Sequence, residues 1–95
     1  MIKHIVFFKL LKNSEKDKEE VKQKLLSLKQ KVKEVVSLEV GLNFSKEERA
    51  YDISLIVELK SKEDLNKYAK DSYHQEVISF IKTKVVDTKV VDYEN

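Results

Sequence analysis

The chain has 95 residues, 41% hydrophobic and 38% charged, with a formal net charge of +2 from 19 basic and 17 acidic side chains. That length and balance describe one globular domain spanning residues 1–95, without the long apolar run a membrane span needs, and short enough to gain stability from a partner subunit. The lack of cysteine excludes disulfides, zinc thiolates, iron–sulfur clusters and thiol nucleophiles, and the dispersed lysines, with Arg49 as the sole arginine, form no basic stripe for nucleic acid.

Ile2 to Leu11 reads as a strand that is apolar on both sides. Ile2, Val6, Phe8 and Leu10 share one face with His4, while Ile5, Phe7 and Leu11 share the other. Lys3 and Lys9 interrupt what would have to be a signal-peptide core, and a cytoplasmic location is expected. Asn13 or Ser14 then supplies an N-cap, followed by acidic residues suited to a helix N-terminus. Val21, Leu25, Leu28, Val32 and Val35 recur at four- and three-residue spacing, which predicts a surface helix of roughly five turns with one buried stripe.

Val36 to Phe44 alternates cleanly and predicts a second strand, with Val40 facing inward. The charged stretch Ser45–Ala50 reads as a loop, and Tyr51 to Leu59 alternates again as a third strand that pairs with the second, placing Leu55 and Val57 inward. Ser61 and Asp64 form a capping-box pattern ahead of a short helix carrying Leu65, Tyr68 and Ala69 on one face. Asp71-Ser72 breaks that helix, and Ser72 is expected to cap the next one, whose inner face includes Val77, Phe80 and Ile81. Thr88 to Tyr93 is rich enough in β-branched and aromatic residues for a closing strand.

The resulting order, β-α-β-β-α-(α)-β, is the ferredoxin-like α+β plan, an antiparallel sheet with helices on one face. Those helices leave the second face of the first strand bare. Ile5, Phe7 and Leu11 are therefore expected to meet a second copy of the sheet in a homodimer, with the polar Glu39, Asn43, Asp52 and Glu58 placed at its rim or paired across it.

Five segments, K-H-I-V-F-F-K at Lys3–Lys9, S-L-E-V-G-L-N at Ser37–Asn43, Y-D-I-S-L-I-V-E at Tyr51–Glu58, L-N-K-Y-A-K-D-S-Y-H at Leu65–His74 and V-V-D-Y-E at Val90–Glu94, together resemble the stress-responsive A/B barrel (Dabb) family. The resemblance spans nearly the whole chain and implies a dimeric α+β barrel with a pocket between sheet and helices. Most members of that family have no assigned chemistry, while a plant member, olivetolic acid cyclase, closes a polyketide chain by aldol condensation. The present chain is similar to that cyclase at His4, Tyr68 and His74. It departs from the common family pattern His-Pro-x-His, where it reads Asp71-Ser72-Tyr73-His74.

On chemical grounds His74 is the natural general base, since an imidazole titrates near neutrality, and Tyr68 can donate a hydrogen bond to a carbonyl becoming an enolate. His4 would orient His74 or a ligand, and each of the three also has an ordinary structural reading as a satisfied core or surface residue. Val6, Phe8, Val40, Leu55 and Val57 are expected to line the same space. No metal site and no cofactor is expected, because the two histidines lack a local carboxylate spacing and the single glycine, Gly41, excludes a glycine-rich phosphate loop. Three readings follow: a protein that binds a small apolar metabolite, a cofactor-free cyclase-like or isomerase-like enzyme, and an interaction module with a filled core.

Overall fold

A computed structural model describes residues Met1–Asn95. The elements run β1 (Ile2–Leu10), α1 (Glu15–Leu26), α2 (Leu28–Lys31), β2 (Ser37–Leu42), β3 (Ile53–Leu59), α3 (Lys62–Lys70), α4 (Ser72–Ile81) and β4 (Val85–Glu94). The strands form one antiparallel sheet in the order β2-β3-β1-β4, so β1 lies between the third and last strands. This is the ferredoxin-like α+β architecture. None of its helices is long and apolar enough to cross a membrane.

The core forms between the helices and one sheet face. From β1 it takes Ile2, Val6, Phe8 and Leu10, from β3 Ile53, Leu55, Val57 and Leu59, and from the helices Val21, Leu25, Leu28, Tyr68, Val77 and Ile81. Val32 and Val35 are buried as well, yet they follow the helices, which end at Lys31. The predicted single long helix is thus divided. At the junction the Ser27 hydroxyl donates to the Lys24 carbonyl at 2.5 Å and meets the Tyr73 hydroxyl at 2.6 Å, local bonding that competes with the helical ladder. The apolar period set which residues are buried, and Ser27 set where the helix turns.

Caps fix the other boundaries. The Ser14 and Ser61 hydroxyls accept from the Asp17 and Asp64 backbone N–H groups, each at 3.1 Å. β2 is shorter than its alternation predicts, and Phe44 stands 96% exposed beyond its end. There Asn43 takes over the backbone hydrogen bonding, its amide donating to the Tyr51 carbonyl at 2.6 Å and its carbonyl accepting from Ser45 N–H at 2.8 Å.

On the sheet face away from the helices, Phe7 and Val91 remain exposed around the less exposed Ile5 and Ile56, with Leu11 exposed just past the end of β1. The expected rim residues divide. Glu58 accepts from the Ser37 hydroxyl at 2.7 Å, Asn43 is engaged in its own loop, and Glu39 stays exposed. Asp52 is instead buried. Where the β1–β4 register shifts between Lys9 and Leu10, the Asp52 carboxylate accepts from the Leu10 N–H at 2.7 Å, and the Asp52 N–H donates to the Phe8 carbonyl at 2.8 Å. The β1–β3 ladder ends at the Phe8–Ile53 pair, so the Leu10 N–H on that edge lies beyond it, and Asp52 satisfies it.

Replacing Asp52 by Ala would leave the Leu10 N–H without that partner, at an expected cost of about 1–3 kcal/mol in unfolding free energy. Urea unfolding monitored by circular dichroism measures it; an unchanged midpoint would show that the end of the β1–β3 ladder does not need this carboxylate.

Candidate functional site

Three aromatic side chains meet at one end of the cleft between helices and sheet. His4 enters from β1, Tyr68 from the last turn of α3 and His74 from the first turn of α4. The Tyr68 and His74 ring centroids are 4.2 Å apart at an interplanar angle of 40°, and the His4 and Tyr68 centroids are 5.8 Å apart, edge to face. A continuous helix would hold positions 68 and 74 about 120° apart around its axis. The break at Asp71 brings them together.

Asp71, rather than Ser72, is the N-cap of α4. Its backbone is extended (φ −60°, ψ 135°), and its carboxylate accepts from the Tyr73 N–H at 2.8 Å and the His74 N–H at 3.1 Å. An acidic cap suits the positive end of a helix and also lies near the His74 ring. The family pattern has proline where this chain has Ser72. Asp71 starts the helix here by hydrogen bonding instead of by a fixed φ.

The surroundings of His74 define its working nitrogen. Nδ1 lies 3.3 Å from the Ala69 carbonyl oxygen, which can only accept, so Nδ1 carries the hydrogen and Nε2 keeps its lone pair. Burial holds the imidazole pKa below its ordinary value; the Ala69 carbonyl opposes this, the nearby His4 reinforces it, and the Asp71 carboxylate opposes it. At neutral pH the ring is therefore a neutral base.

Tyr68 is 1% exposed, and its hydroxyl is buried without a hydrogen-bond partner. Burial pushes its phenol pKa far above the usual range, so the group stays a donor throughout physiological pH. His4 Nδ1 lies 2.5 Å from Asp92 Oδ1, across the directly opposed β1–β4 pair. The carboxylate accepts, Nδ1 carries the hydrogen, and Asp92 holds the ring in one tautomer. Asp92 was missed in the sequence reading. Its signal was a carboxylate in step with Thr88 and Val90 along β4, and only the strand register places it opposite His4.

Beside these groups lies a cavity of about 520 Å³, within the usual range for small-molecule sites. Of the expected lining residues, Val6, Phe8 and Leu55 reach it, joined by Leu25, Ile78 and Val90, which sequence reasoning did not assign. Val40 and Val57 do not line it. Val57 is fully enclosed by core packing, and Val40 sits on the edge strand β2, two strands away from β1. No group of three or more histidine, cysteine or acidic residues is arranged to hold a metal ion.

An antiparallel sheet with helices on one face, and between them an open apolar cavity with a Tyr and two His at one end, defines a ferredoxin-like α+β protein. The chain matches the stress responsive A/B barrel domain over residues 2–95 and belongs to that family. No curated protein matches it in sequence. Among solved structures it is similar to a dimeric ferredoxin-like protein of unknown function from Bacteroides fragilis, with 28% identity, a TM-score of 0.82, and coverage of 99% of this chain and 95% of that one. A dimeric ferredoxin-like protein from Thermobifida fusca, also of unknown function, shares 19% identity over 99% of this chain and 90% of its own, with a TM-score of 0.86. The hydroxynitrile lyase of Passiflora edulis shares 18% identity over 97% of this chain and 90% of its own, with a TM-score of 0.83. At such identities these last two likenesses show the fold alone.

The lowered pKa of His74 has a consequence for stability. Because the native state binds this proton less readily than the unfolded chain, the contribution is present above the unfolded value of 6.5 and is lost as pH falls through the lower folded value. Urea midpoints measured across that window should fall on acidification more steeply in the wild type than in His74→Gln; parallel profiles would contradict the assignment.

Proposed function

We propose that the protein is a cytoplasmic homodimer that binds a small, mainly apolar metabolite carrying a carbonyl-type oxygen in the cavity between helices and sheet. The observation that carries this reading is the Tyr68 hydroxyl, a donor buried beside the cavity with nothing to donate to. An unsatisfied buried hydroxyl costs about 1–3 kcal/mol, a cost that a ligand acceptor would offset. The hydroxyl is closed to water at rest, so the neighbouring rings must shift to admit the ligand oxygen.

Dimerisation is supported by the bare outer sheet face. Phe7 is 43% exposed and Val91 56%, and a shallow hollow lined by Phe7, Gly41, Phe44 and Ser54 opens beside them. Contiguous apolar surface of this kind is uncommon on monomers, and the neighbours from Bacteroides fragilis and Thermobifida fusca are described as dimers.

The contact between Tyr68 and His74 supports a second reading, cofactor-free proton transfer. With Nε2 of His74 unprotonated and the Tyr68 hydroxyl a donor, the pair has the two groups needed to remove a proton α to a carbonyl and stabilise the resulting enolate. Cyclisation and isomerisation both begin this way. The lyase among the structural neighbours shows that this fold accommodates an enzyme.

A simple β-diketone serves as probe for both readings. Wild type should bind it with chemical-shift changes at His74, while Tyr68→Phe should bind roughly tenfold more weakly yet unfold at an equal or higher urea concentration, since it loses an unsatisfied hydroxyl. Binding indifferent to Tyr68→Phe would remove the basis for the ligand reading. Exchange of the probe's α-protons for deuterium, catalysed by wild type and lost in His74→Gln, would distinguish the enzyme from the binder.

The dimer has its own test. Phe7→Asp places a charge at the centre of the outer face and should convert the protein to a folded monomer in light scattering. An unaltered dimer mass would place the interface elsewhere.

A further inference from the structure

The cavity is polar at both ends. At one end stand His4, Tyr68 and His74; along its length the walls are apolar, and at the other end Lys82, Asp87 and Thr88 line its mouth. α4 and β1 run side by side in the same direction, as His74 lies near His4 at one end and the Lys84 carbonyl accepts from the Leu11 N–H at 2.8 Å at the other. From His74 to Lys82 the helix rises about 12 Å, and from His4 to Phe8, which is paired with Thr88, the strand advances about 13 Å. The two polar ends are therefore separated by roughly the length of a medium alkyl chain.

The charges at the mouth are not equivalent. Asp87 already accepts from the Tyr51 hydroxyl and lies 3.6 Å from the Lys89 ammonium. Lys82 takes part in none of the ion pairs, whereas its neighbour Lys84 is paired with Asp17 at 3.3 Å and Glu20 at 3.5 Å. A lysine following the last turn of α4 also suits the helix dipole, which explains a cation there without a ligand. It does not explain why this cation lines the cavity while the adjacent carboxylate is bound elsewhere.

We infer that the ligand is a two-headed molecule, an apolar chain of medium length with a carbonyl at the Tyr68–His74 end and a carboxylate at the other, held by Lys82. The inference rests on the cavity-binding reading above and adds the second head group, the length and the sign of its charge. A molecule with one polar end would leave Lys82 solvated, and a two-headed cation would meet it with repulsion. An anion gains a pairing at a partly solvated mouth, where the attraction is modest and is screened by salt.

The test compares three probes by isothermal titration calorimetry on the full chain: a linear medium-chain keto acid with its ketone near the far end, its methyl ester, and the corresponding methyl ketone lacking the second head group. The acid should bind about five- to tenfold more tightly than the ester at low ionic strength, with the preference shrinking as salt is added. Lys82→Gln should bring the acid down to the affinity of the ester, and Tyr68→Phe should weaken acid and ester alike. Equal binding of acid and ester by wild type, or a preference that survives Lys82→Gln, overturns the two-headed ligand while leaving the cavity reading intact. Failure of all three probes to bind at millimolar concentration overturns both.

Discussion

The structure depends on β1 being apolar on both of its faces while lying between β3 and β4. An interior strand is bound to its neighbours through both edges, so its two rows of side chains each need a cover. The helices bury Ile2, Val6, Phe8 and Leu10 in the shared core, and they leave Phe7 and its surroundings bare. The inner face gives a folded chain with a cavity, and the outer face gives the surface on which a second sheet would be built. Asp52 satisfies the Leu10 N–H just past the end of the β1–β3 ladder.

The site is a by-product of two helix ends meeting over that inner face. Tyr68 closes α3, His74 opens α4, and the extended backbone at Asp71 folds one onto the other. Helix termini are suited to this role because their backbone groups need partners in any case. Asp71 supplies two acceptors to α4, and the Ala69 carbonyl, near the end of α3, accepts from the His74 ring. The same bonds that end one helix and begin the next set which imidazole nitrogen is free.

Burial then sharpens the division of labour. It lowers the pKa of His74 and raises that of Tyr68, so the imidazole stays neutral and the phenol stays protonated over the same pH range. An imidazole and a phenol in water already divide these roles at neutral pH, and burial widens the range over which one accepts and the other donates. Asp92 acts on the other side by fixing the His4 ring, which borders Tyr68 edge to face. A hydroxyl left without a partner in such a packed setting is a stability cost that an interior tyrosine serving only as filler need not carry.

Much of this was legible in the chain. Period-two alternation located β2 and β3, and the spacing of Val21, Leu25, Leu28, Val32 and Val35 picked out buried residues even beyond the end of the helices. These features are local, since side chains on one face of a strand or helix recur at fixed steps whatever lies opposite. Local chemistry also marked the break at Asp71-Ser72 but assigned the cap to the wrong residue, because only the backbone geometry decides which oxygen reaches the free N–H groups. Asp92, the inward turn of Asp52, the exclusion of Val40 and Val57 from the cavity and the approach of Lys82 to its mouth were beyond the sequence. Each depends on the register between strands distant in the chain or on how helices settle across the sheet, and those distances exist only once the tertiary packing has closed.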